Sequence, residues 1–266
     1  MNNPIACTTG GYPGSDLERV LQGISGAGFR SVELSAIPSP RSRIIPEQMS
    51  ASDLQQFQTR LAGLSLTPVS VSGHADLAQS QGVAQFKRRI EFAAALGVGI
   101  VNTGTGHTNT AEDEERFFHW MQSEVIPFAA AHQVKIALET HGGLTGTADD
   151  CLKTLERLAS PWVGINYDPA NVIYYRGVRP ESDIRKVAAH VIHVHLKDQH
   201  GGQGVDEFPP LGEGDIDFGA IVNTLNEVGY RGPYSVELEV KNVAGPAEED
   251  ALRRQCYQFV ERLLAG

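Results

Sequence analysis

Four side chains that can bind a metal ion each close a separate apolar stretch of the sequence. They are Glu139, Asp168, His195 and Glu237. Apolar runs of this kind are typical of strands buried on both faces, so each side chain would stand where a strand ends. Three carboxylates held close together repel one another, and a divalent cation offsets that repulsion. The sequence therefore predicts one metal site whose ligands come from the second half of the chain.

The donor atoms indicate the kind of metal. Carboxylate oxygens with one imidazole favour a hard cation, and we expect Mn²⁺, with Mg²⁺, Co²⁺ and Zn²⁺ as alternatives. The last stretch offers a second acid, Glu239, as the alternative to Glu237. A single acid at a strand end is often a helix cap or a surface residue. Four such residues on successive strands favour a shared site.

Five further residues are predicted to contact a substrate beside the ion. Lys197 follows His195 by two residues and would stabilise negative charge on a substrate oxygen. The alternative is a rim lysine that pairs with Asp198. The other four stand at predicted strand ends or in the loops that follow and offer polar atoms to a substrate. They are His74, His107, Glu33 and Asn171.

These four residues can bind one ion only in a fold that brings the ends of their strands together. Eight apolar runs alternate with helical patterns, and strands joined by such helices are parallel. The runs are 5–9, 31–35, 66–72, 98–103, 134–138, 163–167, 191–196 and 234–240. This predicts an α/β fold, a single (β/α)₈ TIM barrel that spans residues 1–266 as one domain. The alternative is an open doubly wound sheet, but no Gly-x-Gly-x-x-Gly motif or phosphate-binding loop supports it.

Local signals indicate where some of the helices begin and end. Ser15 is predicted to cap the first helix, with Glu18 completing a capping box. A loop containing residues 38–40 follows the second strand, and a helix is predicted over about 46–61. A long helix over 112–132 begins with acidic residues, which suits its dipole.

Composition narrows the functional class. The 266 residues carry 22 basic and 32 acidic side chains, a net charge of -10, which argues against a nucleic-acid partner. The three cysteines are few and far apart, which favours a reducing compartment. No apolar run is long enough for a membrane span, and the first residues lack a signal-peptide pattern. We expect a cytoplasmic protein with a small-molecule substrate, and a homo-oligomer is left open.

Several motifs of the chain together resemble one known family. They are Ala137–Glu139, Asn166–Asn171, His193–Asp198, Leu211–Phe218 and Ser235–Glu237. The sequence resembles the xylose isomerase-like TIM-barrel superfamily, which holds sugar-phosphate isomerases and epimerases, inosose dehydratases and metal-dependent AP endonucleases. The resemblance covers essentially the whole chain. It implies that Glu139, Asp168, His195 and Glu237 bind the metal.

The sequence lacks residues that two branches of that superfamily use, which makes the activities of both branches less expected. The AP endonucleases use three further histidines, and the matching positions hold Thr103, Asn171 and Phe208, so DNA repair is disfavoured. Ketohexose 3-epimerases usually carry a histidine where Asn171 stands. They also use an arginine in the loop where Gly201 and Gly202 stand.

The chemistry implied is proton transfer next to a carbonyl of a sugar or sugar derivative. Glu139 and Glu237 would remove and return a proton through an enediolate, which gives isomerisation or epimerisation. If the second proton goes to a β-hydroxyl, the same site performs a dehydration. A metal-dependent dehydratase or lyase of a keto-polyol or 3-keto-glycoside is therefore the alternative. A non-enzymatic carbohydrate-binding barrel is disfavoured because binding alone does not need this acid set.

Overall fold

The strands close one parallel barrel in the order of the sequence. A computed structural model describes residues 3–10, 15–37 and 44–266, so the loop predicted over 38–40 lies outside the described residues. The strands are β1 (Ile5–Thr8), β2 (Ser31–Ser35), β3 (Thr67–Ser72), β4 (Ile100–Thr103), β5 (Lys135–Glu139), β6 (Val163–Tyr167), β7 (Val191–Leu196) and β8 (Tyr234–Val236). The predicted (β/α)₈ barrel is confirmed.

Helices connect the strands and cover the outside of the barrel. They are α1 (Leu17–Ala27), α2 (Ala51–Gly63), α3 (Ser80–Ala95), α4 (Ala111–Trp120), α5 (Ile126–Ala131), α6 (Ala148–Leu158), α7 (Pro169–Arg176), α8 (Pro180–Val187), α9 (Phe218–Glu227) and α10 (Pro246–Ala265). Their apolar faces pack on the outer faces of the strands in one contiguous buried core. This arrangement places all carboxyl ends of the strands around one mouth.

Several predicted boundaries differ from the structure. Strand β8 ends at Val236, not at residue 240, so Glu237 is the first residue beyond it. The amide of Glu237 still donates to the carbonyl of Leu196 (3.0 Å), which keeps this residue beside β7. The other strand ends differ from the prediction by two residues or fewer.

Two helix starts were predicted incorrectly. Asp16, not Ser15, caps α1, because its carboxylate accepts a hydrogen bond from the amide of Arg19 (2.7 Å). Ser15 instead donates to a carboxylate oxygen of Glu249 (3.1 Å). Helix α2 begins after Ser50, where Ser50 and Asp53 form a capping box, and only a short 3₁₀ turn covers 46–48.

The helix predicted over 112–132 is present as one helical segment with a change of winding. Helices α4 and α5 are joined by the π-helical turn Met121–Val125. The amide of Ile126 donates to the carbonyl of Met121, five residues back. Pro127 follows and has no amide proton, so the α-helical ladder is interrupted at this point.

Polar side chains occupy part of the barrel interior, where bulky apolar residues are more usual. They are the fully buried Glu33, Ser70, Asn102, Asn166, His193 and Ser235. Most of these polar side chains lie in strands whose sequence is otherwise mainly apolar. This polar cluster lies directly beneath the mouth and forms the floor of the candidate site.

Candidate metal centre

The structure brings the four predicted metal ligands together. Glu139 ends β5, Asp168 follows β6, His195 lies in β7 and Glu237 follows β8. One donor atom from each of the four lies within 4.8 Å of the others. Three of them are buried, and the side chain of Glu237 is 25 % exposed.

Asn171 holds two of these acids in place. Asp168 is the N-cap of α7, and one of its oxygens accepts from the amide of Asn171 (3.0 Å). The side-chain amide of Asn171 donates to Oε1 of Glu139 (2.9 Å). The other oxygens of these acids, Asp168 Oδ2 and Glu139 Oε2, are buried and pair with Lys197 (2.9 Å) and His74 (2.9 Å). Buried carboxylate oxygens that already face cationic side chains fit a site that binds a cation.

Glu33 fixes the orientation of His195. Its Oε1 lies 3.0 Å from Nε2 of the imidazole, while Nδ1 faces Glu139 (3.7 Å) and Glu237 (3.6 Å). A carboxylate only accepts hydrogen bonds, so we assign the proton to Nε2 and leave Nδ1 as the atom that meets the cation. Glu33 is 0 % exposed, and its predicted contact with a substrate stays a prediction. It supports the imidazole from beneath.

The carboxylates around His195 control its protonation. Burial by itself lowers the pKa of the imidazole, but Glu33, Glu237 and Glu139 raise that pKa well above its ordinary value. A divalent ion bound among the same acids would favour the neutral imidazole, because metal ligands must be deprotonated.

Lys197 lies inside the same acid cluster. Its ammonium nitrogen is 2.9 Å from Asp168 Oδ2, 3.0 Å from Glu237 Oε2 and 3.5 Å from Glu239 Oε2. Burial lowers the lysine pKa by itself, but these acids raise it well above the ordinary value. Burial raises the pKa of Asp168 to about 7, although Lys197 opposes that shift. The predicted contact of Lys197 with a substrate stays a prediction.

The two histidines predicted to contact a substrate lie in different surroundings. His74 follows β3, and its Nε2 lies 2.9 Å from Oε2 of Glu139. His107 stands on the rim with a side chain 81 % exposed, and its Nδ1 pairs with Asp76 (2.9 Å). His74 is therefore placed at the metal centre, whereas His107 lies outside it. Asn171 contacts an acid of the cluster rather than open space.

A cleft of about 370 Å³ opens above the four ligands. Besides Glu139, Glu237 and Lys197, it is lined by Tyr174, Tyr175, Phe208 and His141. The predictions did not include Tyr174, Tyr175 and Phe208, because these residues lie in α7 and in a loop that carry no strand pattern. A period of two along β7 was the available signal for His193, which shares a face with His195. His193 Nδ1 and Asn166 Oδ1 are 2.8 Å apart in the floor.

The chain is therefore a TIM barrel with a candidate metal centre. Three acids and an imidazole at adjacent strand ends form this centre. Residues 21–257 match the family described as the xylose isomerase-like TIM barrel. The chain belongs to this family.

Known proteins are similar to this chain over different shares of their length. L-ribulose-5-phosphate 3-epimerase UlaE from Salmonella paratyphi A is 28% identical over 183 residues, which cover 67% of this chain and 63% of that protein. The match thus spans less than two thirds of this relative.

Solved structures share the fold over nearly the whole chain. A xylose isomerase domain protein from Planctomyces limnophilus has a TM-score of 0.81 at 23% identity, over 99% of this chain and 98% of that one. A xylose isomerase-like TIM barrel protein from Mycobacterium smegmatis in complex with magnesium has a TM-score of 0.76 at 19% identity, over 98% of each chain. Within the described residues, no helix has the length and apolar character needed to cross a membrane.

Proposed function

We propose that this protein is a divalent-metal-dependent isomerase or epimerase of a sugar or sugar derivative. The observation that carries the proposal is the position of Glu139 and Glu237 in one cluster with Asp168 and His195. The two glutamates come from β5 and β8, which are not neighbours in the barrel. A substrate bound between them would therefore meet two carboxylates from separate walls, as a two-base proton transfer requires.

The ionisation of the two glutamates suits this role. Burial alone raises the pKa of Glu139, but His195 and His74 lower it well below its ordinary value. Burial likewise raises the pKa of Glu237, while Lys197 and His195 outweigh it and lower the pKa. Both carboxylates are thus ionised at neutral pH and able to accept a proton next to a carbonyl.

The four side chains would together bind one divalent metal ion. When bound, the ion would polarise the carbonyl of the substrate. Mn²⁺ is the ion we propose, because the ligands offer mainly oxygen atoms. Lys197 would hold a substrate oxygen, and its long buried stem keeps the ammonium at the acids. The similarity to a ribulose-phosphate epimerase supports a ketose substrate.

We also propose the cellular compartment in which the protein acts and the part of the chain that forms the catalytic domain. The cysteines Cys7, Cys151 and Cys256 are free and buried, which supports a reducing compartment such as the cytoplasm. We propose that the whole chain acts as one catalytic barrel.

Exchange of the proton next to the carbonyl in D₂O tests the proposal. The Mn²⁺-loaded protein is incubated with L-ribulose, L-ribulose 5-phosphate or D-fructose, and the recovered sugars are analysed by NMR. We expect deuterium at one carbon together with formation of the isomer or epimer from at least one ketose. Loss of water from the sugar, with no labelled sugar recovered, would overturn the proposal and favour the dehydratase alternative.

A further inference from the structure

A second cleft lies beside the metal centre. We propose, on the basis of the proposed function, that it binds a neutral second sugar unit attached to the reacting ketose. The substrate would then be a glycosyl ketose rather than a sugar phosphate.

The second cleft is continuous with the metal centre. It has a volume of about 540 Å³ and lies among the loops that follow β3, β4 and β5. Its walls include His74, His141 and Tyr175, and the same three residues line the cleft above the metal ligands. His74 also contacts Glu139 at 2.9 Å. A group attached to a sugar at the metal centre would therefore enter the second cleft past His74.

The size of the two clefts favours a substrate larger than one sugar. The cleft above the metal ligands has about 370 Å³, and the second is larger, at about 540 Å³. A cleft of roughly 300 Å³ already lies within the range of complete small-molecule sites. The reacting ketose would thus occupy the first cleft and leave the larger one for a substituent.

The lining of the second cleft suits hydroxyl groups and the C–H face of a sugar ring. The hydroxyls of Thr105 and Thr108 lie 3.3 Å apart on one wall. Gly143 brings backbone to the same wall, since a Cβ there would come within 3.1 Å of Thr108 Oγ1. On the opposite side, the rings of His141 and Tyr175 are 4.7 Å apart, and Tyr175 Oη lies 3.0 Å from His141 Nε2. Few polar groups among apolar surfaces are typical of ligand sites.

The charges around the second cleft disfavour a phosphate. Among the residues that the structure describes, no lysine or arginine lines it, and its one carboxylate, Asp76, is paired with His107 (2.9 Å). Arg176 donates to the carbonyl of Gly143 (3.0 Å) without lining the cleft. Helix α4 starts next to this wall with Glu112, Asp113 and Glu114 in its first turn. A phosphate is bound through cations and directed N–H groups, whereas a glycosyl group needs neither charge.

A comparison of binding tests the proposal directly. Isothermal titration of the full-length, Mn²⁺-loaded protein compares D-fructose, D-fructose 6-phosphate and three glucosyl-fructoses linked through O4, O5 or O6. We expect at least one glucosyl-fructose to bind tenfold or more tightly than fructose, and the phosphate to gain nothing over fructose. If no glucosyl-fructose binds more tightly than fructose, or if the phosphate binds most tightly, the proposal is overturned.

A variant that fills the second cleft, compared with a matched control, tests whether this cleft binds the sugar unit. Asn109 is an exposed lining residue, so Asn109→Trp adds bulk at the mouth without disturbing the core. This variant should bring the affinities for glucosyl-fructose and fructose to within threefold of each other. Asn223→Trp, the same change on the exposed face of α9, should keep the wild-type ratio. A tenfold or larger preference that survives Asn109→Trp would refute the assignment of this cleft.

The binding measurement also separates the two proposals. If no ketose exchanges its proton in D₂O, the proposed function fails, while the ratio of affinities still decides whether the cleft binds a sugar unit. If exchange occurs with fructose and the ratio of affinities is one, only the second cleft has been assigned wrongly.

Discussion

The floor of the barrel and the ring of acids above it are both polar and buried, but they differ in charge and in access to the cleft. In the floor, Glu33 accepts a hydrogen bond from Asn102 (3.1 Å), and its two oxygens lie at 3.0 Å from His195 and 3.3 Å from His193. Above it, Glu139 Oε2 lies 2.9 Å from His74 and Asp168 Oδ2 lies 2.9 Å from Lys197, and the acids Glu139 and Glu237 line the cleft. Carboxylates that line a cleft are accessible to a cation, so the ring is where a metal ligand set would be completed.

The comparison also separates the two halves of the barrel. Strands β5 to β8 contribute the acids and the imidazole, whereas the end of β4 leads into a loop rich in glycine and threonine. Glu33 from β2 crosses the interior to support His195. One half thus concentrates charge, and the other half positions it and leaves room for the substrate. The predictions below test this division, from the largest expected effect to the smallest.

Loss of a ligand from the charged ring should have the largest effect. Asp168→Asn and His195→Ala each remove a donor atom and leave the outer core of the barrel intact. We expect both variants to lose bound metal and turnover together, as measured by elemental analysis and by the D₂O exchange assay. Asp76→Asn, a carboxylate change outside the ring, serves as the control for metal content. Normal metal content and turnover in either ligand variant would contradict the assignment.

The two glutamates should separate metal binding from proton transfer. Glu139→Gln and Glu237→Gln keep the shape and one oxygen but abolish the base. Removal of a general base typically costs about 10² to 10⁴-fold in rate, so turnover should fall by that amount while part of the metal affinity remains. One variant should still exchange the substrate proton with D₂O without forming product. Near-normal turnover in both would rule out a two-glutamate mechanism.

Glu33→Gln should weaken the metal centre from beneath. The amide cannot fix the proton of His195 on Nε2 as a carboxylate does, and loss of such support typically lowers metal affinity about 10 to 100-fold. Titration calorimetry with Mn²⁺ measures this directly. Ser70→Ala provides a matched control, because Ser70 Oγ contacts Nε2 of His193 (2.9 Å) and not His195. Equal losses in both variants would indicate general damage to the floor instead of support for one ligand.

Addition of the metal to the wild-type protein should have the smallest effect. It should raise the free energy of unfolding. An ion that binds only the folded chain stabilises it by about 2.7 kcal/mol at a concentration of 100 times Kd. Thermal unfolding with and without Mn²⁺ should show the corresponding rise in Tm, reversed by a chelator. The same titration of Asp168→Asn should leave the Tm unchanged. A rise of equal size in this variant would place the stabilising ion elsewhere.

Much of the fold followed from patterns along the chain. Eight apolar runs and the intervening helical patterns predict a parallel barrel, and a parallel barrel brings its strand ends together without any knowledge of contacts. For this reason Glu139, Asp168, His195 and Glu237 could be grouped from their places in the sequence. Boundaries were less predictable, because Ser15 and Asp16 are both acceptable caps, and the structure engages Ser15 with Glu249 while Asp16 accepts from the amide of Arg19.

The role of Glu33 depended on tertiary structure alone. Its strand pattern places it at the end of β2, where a substrate contact is a reasonable expectation. The closed barrel instead turns its side chain inward, against a histidine 162 residues away. The second cleft has the same origin, since His74, His141 and Tyr175 come from three different segments. A pattern along one strand specifies which residues are buried, but the closure of the barrel decides which of them meet across its interior.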